Sequence, residues 1–362
     1  MDTLFDIERN LLMALSDRLG RSPPLEPSEV LEQIDSSLLT SAWQKAIRRG
    51  DSHLSVRCAL ELHRRDPDYL WRRMRIIALE DISVGDTELV ATVLAIAGKR
   101  ALHRAWGEQR LLSTLVQELA TARKSRTACD LAVILPSEKI VVEDWDQLGG
   151  LHDFDRRALF LRASGWRNTA SLSTHEGGRW QTISYGNRRL RDRYLDEIDA
   201  PAAVRFIATR GSGTEALNVL LPVAHHLQEL GCEPVPMNRS PSPSWNPIGE
   251  LPAYAFCMYS GPGMQALTAF LKATPWGRKF KSMGIRNPSK ALGYLVFYVE
   301  GGHLSKPIGV RHASLIRGWS QEVALGRFGI PADMVETLKA KMVRDLPQLN
   351  AFRRNVKTGI RS

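Results

Sequence analysis

Guanidinium groups dominate the chemistry this sequence could perform. Arg48-Arg49, Arg64-Arg65 and Arg72-Arg73 with Arg75 fall within one short stretch. Such groups match phosphate oxygens bidentately, and several along one helical surface would track a nucleic-acid backbone. A second cationic set lies near the C-terminal end. There Trp276-Gly277-Arg278-Lys279-Phe280-Lys281 interleaves rings with charges, as base stacking plus phosphate contact would require, and Arg353-Arg354, Lys357 and Arg361 follow. The candidate nucleic-acid contacts are therefore Arg48, Arg49, Arg64, Arg65, Trp276, Arg278, Lys279, Lys281, Arg353, Arg354 and Lys357. The competing reading is structural: the arginines would pair with Glu61, Asp66, Asp68, Glu80 and Asp81, and the tryptophan would pack in a core. Glu80-Asp81 has Ile76 and Ile77 one turn behind it, so no arginine of its own helix is placed to pair with it. Its partners are expected from another helix or another subunit, which makes Glu80 and Asp81 candidate interface residues.

Other chemistry is thinly represented. His225-His226 are adjacent and point about 100° apart on a helix, which rules out an i, i+4 zinc pair. His175-Glu176 lacks the second histidine of an H-E-x-x-H motif. His152-Asp153 with Asp155 has the form of an HD metal site, and it carries the alternative expectation of a metal-dependent nuclease. No catalytic residue, metal or cofactor is assigned. No G-x-x-x-x-G-K-[ST] phosphate loop occurs, so the sequence predicts no ATPase.

The charge balance points the same way as the arginines. With a net charge of +10, an acidic partner is expected, with DNA the leading candidate. Residues 271–362 hold 17 Lys+Arg against 5 Asp+Glu, so the rest of the chain is about neutral. Cys58, Cys129, Cys232 and Cys257 show no C-x-x-C spacing, which suits a reducing cytoplasm better than a disulfide framework or zinc finger. Asp2, Asp6 and Glu8 stand where a secretory leader would carry cations, and the longest apolar runs are far too short to span a bilayer. A cytoplasmic location without membrane contact is expected.

The elements that must position these groups read as helices. Leu4, Ile7, Leu11, Leu15 and Leu19 mark an amphipathic helix that Gly20 can end. Pro23-Pro24 and Pro27 break the chain, and Ser28 with Glu32 signals a second start. Asp51 suits the cap of a helix through Leu54, Cys58 and Leu62, and Asp66-Pro67 stops it and starts the next. There Leu70, Met74, Ile77 and Ala78 share a face. Gly85 is expected to supply a left-handed residue before Asp86 caps an apolar helix. The pattern weakens over 136–190, returns near 190–230, and breaks again in the proline-rich 233–252. Ala253–Ala273 reads as a helix, with Ser260-Gly261-Pro262-Gly263 as an interruption. Ala291–Val299 is aromatic and β-branched enough for a strand, and 312–326 and 331–345 are helical. The predicted fold class is mainly α: a helical N-terminal module over 1–135, an irregular insert over 136–190, and a second, mostly helical basic domain over 191–362 with a little β.

The order of residues 41–86 carries a family resemblance. Lys45-Ala46-Ile47-Arg48, Asp51, Ala59-Leu60, Asp66-Pro67, Arg72-Arg73, Ile76 and Ala78-Leu79-Glu80-Asp81-Ile82 resemble the helical region behind the ATPase core in the replication-associated recombination protein A (MgsA) family of clamp-loader-related AAA+ ATPases. The resemblance covers roughly an eighth of the chain and lacks the motor. It implies a collar-like module, self-association or a replication or repair protein partner, and a setting in DNA replication, repair or mobile-element biology. The expected function is that of a non-catalytic, oligomerising DNA-associated protein. The alternatives are the nuclease above and a protein-interaction adaptor of a mobile element or phage-defence system.

Overall fold

Aspartates set the rhythm of the N-terminal half. In the computed structural model, Asp35, Asp51, Asp66 and Asp86 each accept a hydrogen bond from the backbone N–H three residues on, and each opens a helix. The structure describes residues 3–21, 31–134, 192, 195, 196, 198–210, 217–232 and 247–356. The expected insert over 136–190 lies outside them. The helices so opened are α2 (Ser36–Arg49), α3 (Ser52–Arg65), α4 (Pro67–Ile77) and α5 (Thr87–Ile96), after α1 (Leu4–Arg21). Then come α6 (Arg100–Trp106), α7 (Glu108–Thr121) and α8 (Thr127–Ile134). Beyond the undescribed stretch lie α9 (Ala202–Arg210) and α10 (Leu217–Glu229). A two-stranded antiparallel hairpin follows, β1 (Pro247–Ile248) with β2 (Leu251–Pro252), then a 3-10 turn over Ala253–Ala255. The C-terminal helices are α11 (Gly261–Ala273), α12 (Pro275–Ser282), α13 (Pro288–Val296), α14 (Ala313–Gly326) and α15 (Val335–Arg354). The described residues are mainly α with a little β, as the sequence predicts.

Two apolar cores hold these helices. The first takes Leu15, Leu38, Trp43, Ile47, Leu62, Met74, Val93, Leu115 and Leu131 from the N-terminal half, and also Phe206, Ile207, Leu221 and Leu227. Thus α9 and α10, which fall within the expected second domain, complete the first core by packing on α5 and α8. The second core gathers Leu267, Phe270, Trp276, Phe280, Leu295, Leu338 and Leu349 around α11, α13 and α15.

Two local expectations are corrected. Ala291–Val299 is helical: Asn287 caps α13 at Lys290 N, and Pro288 sits in the first turn. A short apolar run cannot be told from a buried helix by periodicity alone. The start expected at Ser28 lies outside the described residues, and the next described helix starts at Ser36 under Asp35. The left-handed residue after α4 is Ser83 (φ +50), and Gly85 has a different task. A Cβ there would lie 2.3 Å from the Arg123 carbonyl oxygen, so the glycine permits close backbone approach.

Candidate functional site

Two helices end in the same unusual way. α4 runs into a π-turn over Ala78–Ile82, closed by Ser83 N–H donating to Ala78 O. α13 runs into another over Phe297–Gly301, closed by Gly302 N–H donating to Phe297 O at 2.7 Å. A π-turn takes in one extra residue and re-aims the side chains beyond it, which is why it recurs at special sites. Here each turn delivers a carboxylate to the interior: Asp81 is 0% exposed and Glu300 2%.

Arginines from α2 tie the two turns together. Arg48 Nε donates to Asp81 Oδ1 at 2.7 Å, and its NH1 reaches Gly301 O at 3.1 Å. Arg49 NH2 donates to Glu300 O at 2.8 Å, and its guanidinium carbon lies 4.2 Å from the centroid of the Tyr254 ring. Arg126, just ahead of α8, completes the shell of Asp81 and stacks on Phe297. Gln44 Nε2 bonds both Asp81 and Glu80 at 2.7 Å, while its Oε1 accepts from Arg73. Glu300 is held by both terminal nitrogens of Arg353, at 3.2 and 2.7 Å. Burial alone would raise the Asp81 pKa, but Arg48 and Arg126 outweigh it and hold the carboxyl below the ordinary aspartate range.

This seam reassigns several expected contacts. Arg48 and Arg353 are 5% and 0% exposed with their charges met, so neither can reach a phosphate. Trp276 is 1% exposed, with its Nε1–H donating to Asp345 at 2.7 Å, so it cannot stack on a base; ring and indole N–H are both satisfied in the second core. Arg65 bonds Glu61 and the carbonyls of Leu31, Glu32 and Ile34, clamping the approach to α2. Arg64 is exposed and paired with Glu61. The outside arginine expected for Glu80-Asp81 comes from other helices of the same chain, and Asp81 is closed to any further partner. Lys357 and the His152, Asp153 and Asp155 trio lie outside the described residues.

What remains open is a basic face that takes in the expected contacts Arg278, Lys279 and Lys281. Between Glu250 and Glu300 the chain has no carboxylate but carries Lys272, Arg278, Lys279, Lys281, Arg286 and Lys290. Trp276 and Phe280 anchor α12 to the core and turn Arg278 and Lys281 outward. Arg278, Lys281, Arg286 and Lys290 are exposed and Lys279 half-buried. Arg286 donates to Arg327 O, and none of the five forms an ion pair among the described residues. Exposed Arg344 and Arg354 on α15 add to the surplus. The signal that could have added Arg286 and Lys290 to the expected contacts is the acid-free run itself.

A cavity of ≈ 350 Å³ opens between α8, α14 and α15, lined by Arg126, Asp130, Tyr298, Arg317, Gln321 and Lys339. Burial raises the Asp130 carboxyl above its ordinary range, against the pull of Arg126 and Arg317. Among the described residues no group of three or more His, Cys, Asp or Glu side chains could hold a metal ion, and no helix is long and apolar enough to cross a membrane. No family model, curated protein or solved structure matches the chain.

Proposed function

We propose that this chain is a non-catalytic, DNA-associated helical protein whose contact surface is the basic face of α12, the turn after it and the first turn of α13. One observation carries the reading: six cations without an intervening acid, most of them exposed and unpaired, beside a seam in which the other arginines are consumed by structure. Phosphate backbones attract such a surface regardless of sequence. The likeness of residues 41–86 to the helical region behind clamp-loader-type ATPase cores supports a replication or repair setting and association with a further protein. In this reading the seam supplies rigidity and the face supplies affinity. The test is fluorescence anisotropy with single- and double-stranded DNA and RNA at two salt concentrations. Affinity that weakens steeply with salt, and is reduced by replacing Arg278, Lys279 and Lys281 with alanine, is expected. Salt-independent or absent binding to every nucleic acid would overturn the reading.

A further inference from the structure

The cavity between α8, α14 and α15 shares no residue with the basic face, and its lining has a chemistry of its own. Three cations reach it from separate places along the chain: Arg126 ahead of α8, Arg317 on α14 and Lys339 on α15. All three are half-buried, so their charges are screened less than those on open surface. Arg126 gives NH1 to Asp81. Arg317 forms no ion pair among the described residues, so its planar fork can take two oxygens at once. Lys339 Nζ donates to Gln321 Oε1 at 2.7 Å and to Glu336 Oε1 at 2.6 Å, which leaves one of its three donors. Among the described residues two acids share the lining. Glu336 is exposed and already paired with Lys339. Burial lifts the Asp130 carboxyl above its ordinary range against the pull of Arg126 and Arg317, so it opposes an incoming anion less than a free aspartate would. α14 opens on the cavity without a side-chain cap, with Ser314 in its first turn, and the N–H groups of that turn add to the positive field.

The rest of the lining is of another kind. Leu304, Pro307 and Ile308 present apolar surface, and Tyr298 adds a ring. At ≈ 350 Å³ the space falls at the small end of the range for small-molecule sites, about 300–1,000 Å³. Cations with donors to spare, beside apolar surface, select a compact molecule that joins a strongly charged oxyanion to an organic part. A phosphomonoester meets both demands, since it carries about −1.5 to −2 charges near neutrality and three acceptor oxygens. A phosphodiester carries a single charge and answers the lining less well. We propose that this cavity binds a small phosphomonoester, its phosphate at Arg317 and Lys339 within the field of Arg126 and its organic part against Tyr298, Leu304, Pro307 and Ile308. The site is separate from the nucleic-acid face proposed above, and neither reading depends on the other.

Isothermal titration calorimetry on the full chain tests this. The phosphomonoester probes are AMP and phenyl phosphate, and the matched controls are adenosine, cyclic AMP and phenol. Saturable binding of at least one phosphomonoester is expected, with its controls weaker by about tenfold or more, the worth of a lost charge-assisted hydrogen bond. Arg317→Gln and, separately, Lys339→Gln should each weaken that binding by about tenfold, with folding checked by circular dichroism. Asp130→Asn should bind at least as tightly as the wild type, because it removes a competing acid; a site for cations would lose its ligand instead. Replacing Arg278, Lys279 and Lys281 with alanine should leave phosphomonoester affinity unchanged, so the fate of this site and that of the basic face are read independently. Failure of both phosphomonoesters to bind the wild type would overturn the proposal. So would binding no tighter than that of the controls, or full affinity in folded Arg317→Gln and Lys339→Gln alike.

Discussion

Asp81 meets two guanidiniums and an amide in a space with no water-facing edge, so its removal should be felt far beyond one hydrogen bond. Asp81→Asn keeps the shape but leaves Arg48 and Arg126 facing each other's charge in the interior. The expected loss is on the order of 3–5 kcal/mol, read as a lower denaturation midpoint at unchanged slope. The pH dependence has a definite sign. A carboxyl whose folded pKa is depressed contributes stability that is fully present above the unfolded value and is lost as pH falls through the folded one. Wild type should therefore lose stability below about pH 4, the ordinary aspartate range, and Asp81→Asn should lack that part of the acid limb. Trp276→Ala makes the complementary point. It should cost about 3–5 kcal/mol through the cavity left in the second core, and calorimetry, not a binding assay, is where it shows.

At the scale of elements, the two π-turns and the tight glycines decide where charged helices can sit. Gly85 lets the turn after α4 lie against the backbone of Arg123, three residues before the arginine that reaches Asp81. Gly85→Ala should destabilise by roughly 1–3 kcal/mol through overpacking. Gly98→Ala is the control, because a Cβ at that position meets nothing within 4 Å; its midpoint should move by no more than about 0.5 kcal/mol. Equal effects of the two substitutions would remove the close approach from the account. Loss of the Ser260 cap, which accepts from Gly263 N–H at 3.2 Å, should cost about 1 kcal/mol and loosen the turn carrying Cys257.

For the whole molecule the question is which cations are free. The seam uses Arg48, Arg49, Arg126 and Arg353 internally, whereas Arg278, Lys279, Lys281, Arg286 and Lys290 of the acid-free segment form no ion pair among the described residues. Replacing Arg278, Lys279 and Lys281 with alanine should lower the log–log salt slope of duplex binding by up to about 0.9 per side chain, or roughly 0.7 on single strands. Trp276→Ala, in folded protein, should leave that slope unchanged. A triple variant with the wild-type slope would mean that the face is solvated surface and that contacts lie elsewhere.

Helix starts were legible in the sequence because they are local. Asp51, Asp66-Pro67 and Asp86 cap within three residues, and the Leu4–Leu19 spacing needs only a 3.6-residue period to declare a buried stripe. The mainly α class and the need of Glu80-Asp81 for a partner off its own helix follow from the same short-range rules. Which arginine answers which acid was not legible, since Arg48 and Asp81 lie 33 residues apart and Arg353 and Glu300 lie 53 apart. A guanidinium beside a tryptophan in sequence says nothing of depth: Trp276 and Phe280 fall on the core side of α12 while Arg278 and Lys281 fall outside, a partition settled only by what α15 brings against them. The 3.2 Å contact of Ser41 Oγ with Cys257 Sγ is the extreme case. It joins α2 to a turn more than two hundred residues away, and it exists only because both cores close around it.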